Sequence, residues 1–269
     1  MKRSGRIGSI IKILSSRPGR SFGLKYFCQL FGAAKSTVSE DIKIAKDILR
    51  EGDLGRIETI PGAGGGVRYT SWISDEKCLR TQQKICDMLS DPSRIMGGGF
   101  LYTSDIMFDP VLTEEMAEIL ARKFKDCRAD YVATIETKGL PLALMTGKLL
   151  DLPLIVVRRE PKISEGPTIS INYFSGSTSR MQKMSLSKKA AVPGSRALVV
   201  DDFMRAGGSM KGICELLSES DIEVCGIGVA MVAVEPVSKK IENYTPIIYL
   251  ESLNEATGEI EVFPNQDLF

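Results

Sequence analysis

The stretch of residues 198–210, LVVDDFMRAGGSM, constrains the fold more than any other part of the chain. Its apolar, β-branched beginning predicts a buried strand of a parallel sheet, and the amphipathic pattern after the glycines predicts a helix. Asp201 and Asp202 then stand at the carboxyl end of that strand, where open α/β sheets bind their ligands. The chain is therefore predicted to contain an α/β domain with a ligand site at this edge of its sheet.

The loop after the two carboxylates has the chemistry of a phosphate site. Gly207 and Gly208 let the backbone approach an anion closely, and their N–H groups, with Ser209, would face it at the start of the helix. The carboxylates beside the anion would accept hydrogen bonds from sugar hydroxyls. The pattern predicts a ribose-5-phosphate site. The alternative is a buried strand with a solvated acidic pair and an ordinary glycine-rich turn.

The remainder of the C-terminal part alternates between strand and helix patterns. Strands are predicted over 131–135, 154–157, 197–201, 224–234 and 247–250, and helices over 140–150 and 209–218. Such alternation is typical of a doubly wound, mostly parallel sheet. A further helix is predicted over 72–89. Residues 158–189 are basic and show little periodicity, so they are predicted to form a long irregular loop. This loop is either a hood over the ligand, a hairpin at a dimer interface or a mobile solvated loop.

A second junction between a strand and a helix follows the predicted strand 131–135. It contains Thr137, Lys138 and Gly139. A hydroxyl, an ammonium group and a glycine backbone at a strand end suit another phosphate group. On its own this pattern is weak, and its alternative is a plain turn between strand and helix.

The N-terminal part carries the positive charge of the chain. Residues 1–70 hold 13 Lys/Arg and 6 Asp/Glu, a net charge of +7, whereas the remaining residues have a net charge of −6. Apolar periodicity predicts one helix near residues 7–14, a second that Gly32 ends, and a third that opens with a capping box of Thr37 and Glu40 or with Ser36 as a rival N-cap. The charge asymmetry predicts a polyanionic partner.

Two short β patterns, 56–60 and 67–70, flank a glycine-rich turn and predict a hairpin after the third helix. Residues 1–72 are therefore predicted to form a winged-helix domain of the helix-turn-helix type, and residues 73–269 a second domain. Double-stranded DNA is the predicted partner of the first domain. The side chains expected to contact DNA are Lys2, Arg3 and Arg6 in a basic arm, Lys35, Ser36, Thr37 and Ser39 in the recognition helix, and Arg68 in the wing. A protein-interaction module and an RNA-binding protein are the open alternatives.

Several function classes are excluded by composition. The chain has no histidine, so Ser-His-Asp and Cys-His catalysis are not available to it. Its six cysteines form no Cys-x-x-Cys motif, so no zinc site is predicted. No apolar run is long enough to cross a bilayer, and no signal peptide is predicted. We expect a cytoplasmic protein with reduced thiols and no membrane partner.

The C-terminal motifs resemble the type I phosphoribosyltransferases, and the whole chain resembles the purine operon repressor family of Gram-positive bacteria. The stretches that carry the second resemblance are, in order, SGRIGSI, AKSTVSEDI, PGAGGGVRY, GGFLYTSDI, TKGLPLA, EGPTISINYFSGS and VVDDFMRAGGS. That family joins a winged helix to a phosphoribosyltransferase-like domain. The resemblance implies a homodimeric repressor of purine biosynthesis genes, not an enzyme, that phosphoribosyl pyrophosphate releases from its operator. Guanosine tetraphosphate is implied as a competing effector.

The resemblance also implies roles for individual residues. Asp201 and Asp202 would hold the ribose hydroxyls, and Arg205, Ala206, Gly207, Gly208 and Ser209 the 5′-phosphate, with Phe203 and Met204 in the same effector site. Thr137, Lys138 and Gly139 would face the pyrophosphate together with Mg²⁺, for which no side chain is assigned as a ligand. Tyr102 would border the pocket. Glu136 departs from the small residue often found in the family, and its charge is expected to weaken the pyrophosphate contact.

An active purine phosphoribosyltransferase with a regulatory nucleic-acid-binding domain is the alternative function. Such enzymes act largely by positioning and by charge stabilisation, and no motif in the chain forbids that chemistry. A pocket that accepts a purine base would distinguish this alternative from a repressor.

Overall fold

The computed structural model describes residues 1–62, 65–160, 163–174 and 181–269. The chain divides into two compact units, Met1–Ser74 with Lys148–Asp151, and Asp75–Gly147 with Leu152–Phe269. In the described residues, no helix is both long and apolar enough to cross a membrane.

The first unit is a winged helix. Ile10, Leu14, Phe27, Val38 and Ile42 are among the buried side chains that the helices contribute to its core. The strands form one antiparallel sheet in the order β1-β3-β2, in which β2 and β3 make the predicted hairpin. Its elements are α1 (Arg3–Ser15), β1 (Ser21–Phe22), α2 (Leu24–Phe31), α3 (Lys35–Glu51), β2 (Arg56–Ile60) and β3 (Gly66–Thr70). This fold confirms the helix-turn-helix prediction.

The start of α3 differs from the sequence prediction. Gly32 ends α2 in the left-handed region with φ 59°, and only Ala33 and Ala34 separate it from α3. The backbone is therefore already helical at Lys35, and Ala34 is the N-cap without any side-chain capping bond. The predicted capping box of Thr37 and Glu40 and the alternative N-cap Ser36 are both wrong, because the helix begins at Lys35.

The second part of the chain contains a six-stranded sheet in the order β13-β12-β11-β10-β6-β7, parallel except for β13. Its elements are α4 (Asp75–Leu89), β4 (Ile95–Met96), β5 (Phe100–Leu101), α5 (Ser104–Met107), α6 (Pro110–Phe124), β6 (Tyr131–Ile135), α7 (Leu140–Leu150), β7 (Leu154–Val157), β8 (Thr168–Phe174), β9 (Met181–Ser187), β10 (Arg196–Met204), α8 (Gly208–Ser218), β11 (Glu223–Ala233), β12 (Tyr244–Asn254) and β13 (Glu259–Pro264).

Helices cover both faces of this sheet. Ile227 and Val229 of β11 pack in one cluster with Ile213 and Leu216 of α8. A Cβ atom placed on Gly228 would lie 3.0 Å from a methyl carbon of Leu120 in α6, so the opposite face of the same strand meets α6. Because alternate residues of a strand point to opposite faces, these contacts confirm the predicted doubly wound sheet.

The basic stretch 158–189 is less irregular than predicted. In its described residues, β8 and β9 pair as an antiparallel ladder from Thr168 opposite Ser187 to Phe174 opposite Met181. Ile169, Ile171 and Tyr173 alternate along β8 and pack with α8 and the sheet. This period of two is present in the sequence, but the dense serines and threonines between the apolar residues obscured it. Of the three forms that the sequence left open, the hairpin matches the described residues, and its place at a dimer interface stays a prediction.

Candidate functional site

A crevice opens in the sheet between β6 and β10. The two strands pair only from Ala197 to Val199 of β10, whereas β10 continues to pair with β11 as far as Met204. The chain passes from β6 to β7 on one side and then returns to place β10 on the other side of β6. This reversal is a topological switch point, and ligands of doubly wound sheets bind outside the carboxyl ends of the strands at such a point.

A cavity of about 480 Å³ lies at this crevice. Its walls come from Ile135–Lys138 after β6, from residues 201–210 at the end of β10, from Arg159, and from Phe100, Leu101 and Thr103 before α5. Met231 and Leu250 add an apolar side. The structure thus brings the predicted residues Thr137 and Lys138 to the same cavity as the whole predicted segment from Asp201 to Ser209.

Gly139 is the point at which the two predicted loops touch. A Cβ atom at this position would lie 2.5 Å from Oδ1 of Asp201 and 2.7 Å from Oγ1 of Thr134. No side chain fits there, so the absence of a Cβ allows the segment after β6 to pack directly on the Asp201 carboxylate. Of the described residues, Thr137 and Lys138 line the cavity and Gly139 does not, although the resemblance implied that Gly139 would face the pyrophosphate. The peptide bond just before this segment, between Glu136 and Thr137, is cis.

Asp201 and Asp202 are two carboxylates in a largely buried setting. Asp201 is 5% exposed, and its Oδ1 accepts a hydrogen bond from the backbone N–H of Asp202 at 3.0 Å. Burial raises the pKa of Asp201 well above its usual value, and the neighbouring charge of Asp202 raises it further. Burial also raises the pKa of Asp202, which the Lys138 ammonium partly opposes. The cavity therefore holds two carboxylates whose charge is poorly solvated until a donor arrives.

The free energy cost of burying the Asp201 charge should be measurable in the protein without ligand. A folded-state pKa above the unfolded value of about 3.9 means that stability is lost as the pH rises through the folded-state pKa. Asp201→Asn keeps the shape and the acceptor for the Asp202 N–H but has no charge to bury. We expect this variant to be more stable than the wild type by about 1–3 kcal/mol at pH 7, with the difference vanishing near pH 4. Thermal unfolding of both proteins across this pH range measures it.

The loop that follows the carboxylates ends in a helix N-terminus that opens on the cavity. Gly207 is the N-cap of α8 with φ 78°, a left-handed conformation that favours glycine. Gly208 and Ser209 begin the helix and line the cavity with it. Backbone N–H groups at the start of a helix are unpaired within the helix and attract anions. Strand β10 extends to Met204, so Phe203 and Met204 are strand residues and the loop proper is shorter than the sequence suggested.

Glu136 is partnered rather than left facing the cavity alone. Its carboxylate accepts bonds from Nη1 of Arg158 and from the backbone N–H of Arg159, both at 2.9 Å. Arg158 also donates to Glu165 at 2.6 Å, so its guanidinium forms ion pairs with two carboxylates. Of these two arginines, Arg159 lines the cavity, and the sequence grouped it with the basic loop and did not single it out.

The resemblance implied that Tyr102 would border the cavity, but Tyr102 does not line it. Of the described residues, its neighbours Leu101 and Thr103 line the cavity, and Tyr102 does not. The Tyr102 backbone is held by Arg94, through its N–H at 2.8 Å and its carbonyl at 3.2 Å. The side chain is 45% exposed. Thr103 is the residue of this segment that reaches a predicted site residue, because Nζ of Lys138 donates to its hydroxyl at 3.4 Å.

The second candidate surface is the exposed beginning of α3. Lys35, Ser36 and Ser39 are exposed and Thr37 is half-buried, whereas the opposite face carries Val38 and further buried residues that pack in the unit's core. Short polar side chains and a lysine at the start of the second helix of a helix-turn-helix are suited to reach base edges and phosphates.

The predicted basic arm is instead part of α1. Arg3 is the first residue of that helix and Lys2 its exposed N-cap. Nε of Arg6 lies 2.6 Å from Oδ2 of Asp41, whose side chain is fully buried, and Nε of Arg3 lies 3.4 Å from Oδ1 of the same carboxylate. The Arg6 side chain is only 14% exposed, so its place is in the fold and not on a free arm.

Arg68 is a residue of β3 and makes an ion pair across the wing. Its Nη2 lies 2.8 Å from Oε2 of Glu58 on β2, and both side chains remain partly exposed. The wing tip includes residues 63 and 64, which lie outside the described residues. Lys2, Arg3, Lys35, Ser36 and Ser39 are therefore the predicted DNA contacts that the structure places on the surface, whereas Thr37 and Arg68 are partly exposed and Arg6 is mostly buried.

Comparison with known proteins matches both parts of the chain. The family described as bacterial purine repressor, N-terminal, matches residues 2–71, and the phosphoribosyl transferase domain matches residues 109–266. Among solved structures, the adenine phosphoribosyltransferase of Thermoanaerobacter pseudethanolicus has a TM-score of 0.52 at 21% identity and covers 62% of this chain and 96% of its own. At that identity the likeness supports the fold alone.

Relatives similar along the whole chain carry purine regulator names. The purine biosynthesis transcriptional activator PurR of Lactococcus lactis is 36% identical over 262 residues, which are 97% of each chain. The purine biosynthesis transcriptional repressor PurR of Bacillus subtilis is 36% identical over 261 residues, 97% of this chain and 92% of its own. Since this similarity spans the winged helix and the phosphoribosyltransferase-like sheet together, the chain belongs to the family of bacterial purine repressors.

Proposed function

We propose that this protein is a DNA-binding repressor of purine biosynthesis genes whose affinity for operator DNA is lowered by phosphoribosyl pyrophosphate. The observation that carries the proposal is that residues 136–138 and 201–209 line one and the same cavity, in a chain that also carries a winged helix. The first segment suits a pyrophosphate, and the second suits a sugar 5′-phosphate and begins with the two carboxylates.

The hydrogen-bond donors and acceptors of the cavity match the chemical groups of phosphoribosyl pyrophosphate. Asp201 and Asp202 offer acceptors to ribose hydroxyls, and the N–H groups at the start of α8 offer donors to the 5′-phosphate. Lys138 and Arg159 supply positive charge near the other end, where the pyrophosphate would lie. Guanosine tetraphosphate, which also pairs a ribose with two charged phosphate groups, is proposed as a competitor for the same cavity.

Mg²⁺ fits this proposal as a companion of the ligand. In the part of the chain that the structure describes, no group of three or more His, Cys, Asp or Glu side chains is arranged to hold a metal ion. Mg²⁺ is commonly bound by one or two carboxylates together with phosphate oxygens and water, which the Asp201–Asp202 pair and a pyrophosphate would supply between them. When bound, it would neutralise phosphate charge.

Regulation requires that the ligand bind more tightly to the state with weak DNA affinity, because a ligand shifts an equilibrium only through differential affinity. Relatives of equal identity are named activator and repressor. DNA affinity and transcription output are therefore separate measurements. The proposal of repression rests on DNA release when phosphoribosyl pyrophosphate is abundant.

The test is the affinity of the full chain for duplex DNA from a purine-gene promoter, measured by fluorescence anisotropy with and without phosphoribosyl pyrophosphate and Mg²⁺. We expect the ligand to weaken promoter binding at least 5-fold, the lower end of ordinary allosteric coupling. Ribose 5-phosphate and pyrophosphate, added separately, serve as controls. Unchanged affinity at saturating ligand would contradict the proposal, and tighter binding to an RNA leader than to the duplex would replace DNA with RNA as the target.

Lys35 gives a prediction for the DNA surface itself. If its exposed ammonium neutralises one phosphate, Lys35→Ala should make the negative slope of log affinity against log salt shallower by about 0.9. It should also weaken binding to all DNA sequences alike. Lys125→Ala, an exposed lysine of the second unit, is the matched control. A slope that falls equally in both variants would assign the effect to net charge and not to a contact.

A homodimer in the cytoplasm completes the proposal. Regulators of this class bind two half-sites as a symmetric pair. Phe108 and Val111 are apolar and more than half exposed at the start of α6, which fits a surface covered by a second copy. All six cysteines are free thiols, as a reducing compartment would keep them. Light scattering of the purified chain measures the oligomeric state.

The second candidate is a purine phosphoribosyltransferase, favoured by the apolar side of the cavity. Leu101, Met231 and Leu250 line the same space as the carboxylate pair and offer a surface on which a flat base can lie. Incubation with phosphoribosyl pyrophosphate and each common purine base separates the two candidates. Pyrophosphate release at a turnover of about 1 per second or faster, within the usual enzymatic range, would favour the enzyme.

A further inference from the structure

The amino-terminal edge of the sheet holds two cysteines on different elements. Helix α6 ends at Phe124, and its ring lies against β11: a Cβ atom on Gly226 would lie 2.7 Å from two carbons of the ring. Only a glycine at position 226 leaves room for this contact. The end of α6 is thereby held against the beginning of β11, three residues before Cys127 and one residue after Cys225.

A β-bulge aims Cys225 out of the strand register. Val224 pairs with Ala197 and Gly226 pairs with Leu198, so Cys225 is the extra residue with no partner on β10. Bulges re-aim a side chain and are rare between parallel strands. The Cys225 thiol donates to the carbonyl of Ala197 at 3.3 Å. The backbone N–H of Asp130 donates to the carbonyl of Arg196 at 2.8 Å, so the loop that carries Cys127 is held against the same end of β10. Both cysteines are partly exposed.

The charged groups around the pair come from β10, from β11 and from the loop after α6. The Arg196 guanidinium, which also pairs with Glu223 at 3.0 Å, favours a thiolate at both sulfurs. Asp130 accepts from the backbone N–H of Arg196 at 2.8 Å. The bond from Cys225, together with the Ala129 N–H and Arg196, lowers the pKa of Cys127 to about 7 against the opposing effect of burial. The same bond raises the pKa of Cys225.

We propose that Cys127 and Cys225 are a thiol-oxidation site that closes to a reversible disulfide, with Cys127 as the attacking thiol and Cys225 as the resolving one. The oxidant is a hydroperoxide. The Cys127 thiolate attacks the peroxide, the O–O bond breaks, and with one proton this yields Cys127 sulfenic acid and one molecule of water. The Cys225 thiol then displaces the second water as the S–S bond forms. In sum, two thiols lose two electrons and two protons, and hydrogen peroxide becomes two waters.

The site lies apart from the ligand cavity. Cys225 stands near the beginning of β11, whereas Met231, which lines the cavity, stands near the carboxyl end of the same strand. Oxidation can therefore be examined without ligand or DNA, and its outcome does not depend on the proposed function.

The test treats the full-length protein with hydrogen peroxide and maps the products by peptide mass spectrometry. We expect two of the six thiols to be lost first, with one crosslinked peptide pair that contains Cys127 and Cys225 and that dithiothreitol restores. Alkylation by iodoacetamide should modify Cys127 at pH 7 on the order of 10²-fold faster than Cys214, whose pKa burial raises to about 11. A first crosslink elsewhere, or equal alkylation of Cys127 and Cys214, would overturn the proposal.

Two variants of Cys225 separate its two roles. Cys225→Ser keeps a hydroxyl donor toward Cys127 and removes the resolving thiol, so Cys127 should remain reactive and proceed to sulfinic acid. Cys225→Ala removes both roles, so the pH midpoint of Cys127 alkylation should rise above 7. If the two variants give the same midpoint as the wild type, Cys225 does not act on Cys127. If Cys225→Ser does not increase sulfinic acid at Cys127, it is not the resolving thiol.

Discussion

Replacing both Asp201 and Asp202 with asparagine is expected to abolish the response of DNA binding to phosphoribosyl pyrophosphate while leaving DNA affinity intact. Asparagine keeps the shape of the side chain, but its NH₂ group cannot accept a hydrogen bond from a ribose hydroxyl. Each hydrogen bond to a charged acceptor contributes about 1.5–3 kcal/mol, so the loss of two should weaken the ligand by at least about 10²-fold. Titration of the protein–DNA complex with the ligand, followed by anisotropy, measures this loss.

The control for the double variant is Asp221→Asn, which makes the same chemical change at an exposed turn after α8. Asp221 has φ 55°, a conformation that asparagine tolerates. Thermal unfolding of the double variant is measured alongside the titration, to exclude unfolding as the cause of a lost response. We expect the double variant to be more stable than the wild type. If the double variant releases DNA at the ligand concentration that suffices for the wild type, the cavity between β6 and β10 is not the effector site.

Arg6→Ala is expected to destabilise the winged helix by about 3 kcal/mol. The Asp41 side chain is fully buried, and Arg6 is its nearest cation, with 2.6 Å between Nε and Oδ2. Removing one partner of a buried pair leaves a charge that neither water nor protein solvates, at a cost of about 3–5 kcal/mol. Arg3, at 3.4 Å from the same carboxylate, keeps the expected cost near the lower limit. Denaturant unfolding followed by the fluorescence of Trp72, the single tryptophan and a residue of this unit, measures it.

Arg3→Ala and the pair Arg6→Ala with Asp41→Asn are the matched variants. Arg3 is more than half exposed, so its loss should lower the stability by less than the loss of Arg6. The double variant removes the buried charge together with its partner and should recover part of the stability. If the Arg6→Ala protein is as stable as the wild type, binds DNA more weakly and shows a shallower dependence of log affinity on log salt, Arg6 contacts DNA and the structural role is wrong.

The elements that the sequence predicted most accurately are those whose pattern is local. The strand Tyr131–Ile135, the helix Leu140–Leu150 and the strand Leu154–Val157 have the predicted limits because continuous apolar runs and the turns between them mark both ends. The role of Arg6 was missed for the opposite reason: its partner Asp41 is 35 residues away, and an ion pair across that distance leaves no periodic trace.

The candidate site divides in the same way. The acid pair and the glycine loop could be recognised because strand, carboxylates and helix follow one another directly in the chain. The place of Arg159 in the cavity could not be recognised, because it depends on the bond that its backbone N–H donates to the Glu136 carboxylate and on the bond that its guanidinium donates to Gln182 of β9. Tyr102 was carried over by resemblance alone, and the side chain of its neighbour Thr103 proves to be the one that meets Lys138.

The contact at Gly139 has a consequence for how this protein can vary. Any residue with a side chain at that position must push Asp201 aside, since 2.5 Å leaves no room for a carbon atom beside Oδ1. A substitution at position 139, in the loop after β6, therefore displaces Asp201 at the end of β10. In a library randomised over 136–139, selection for retained fold and selection for retained effector response would converge on glycine at this one place.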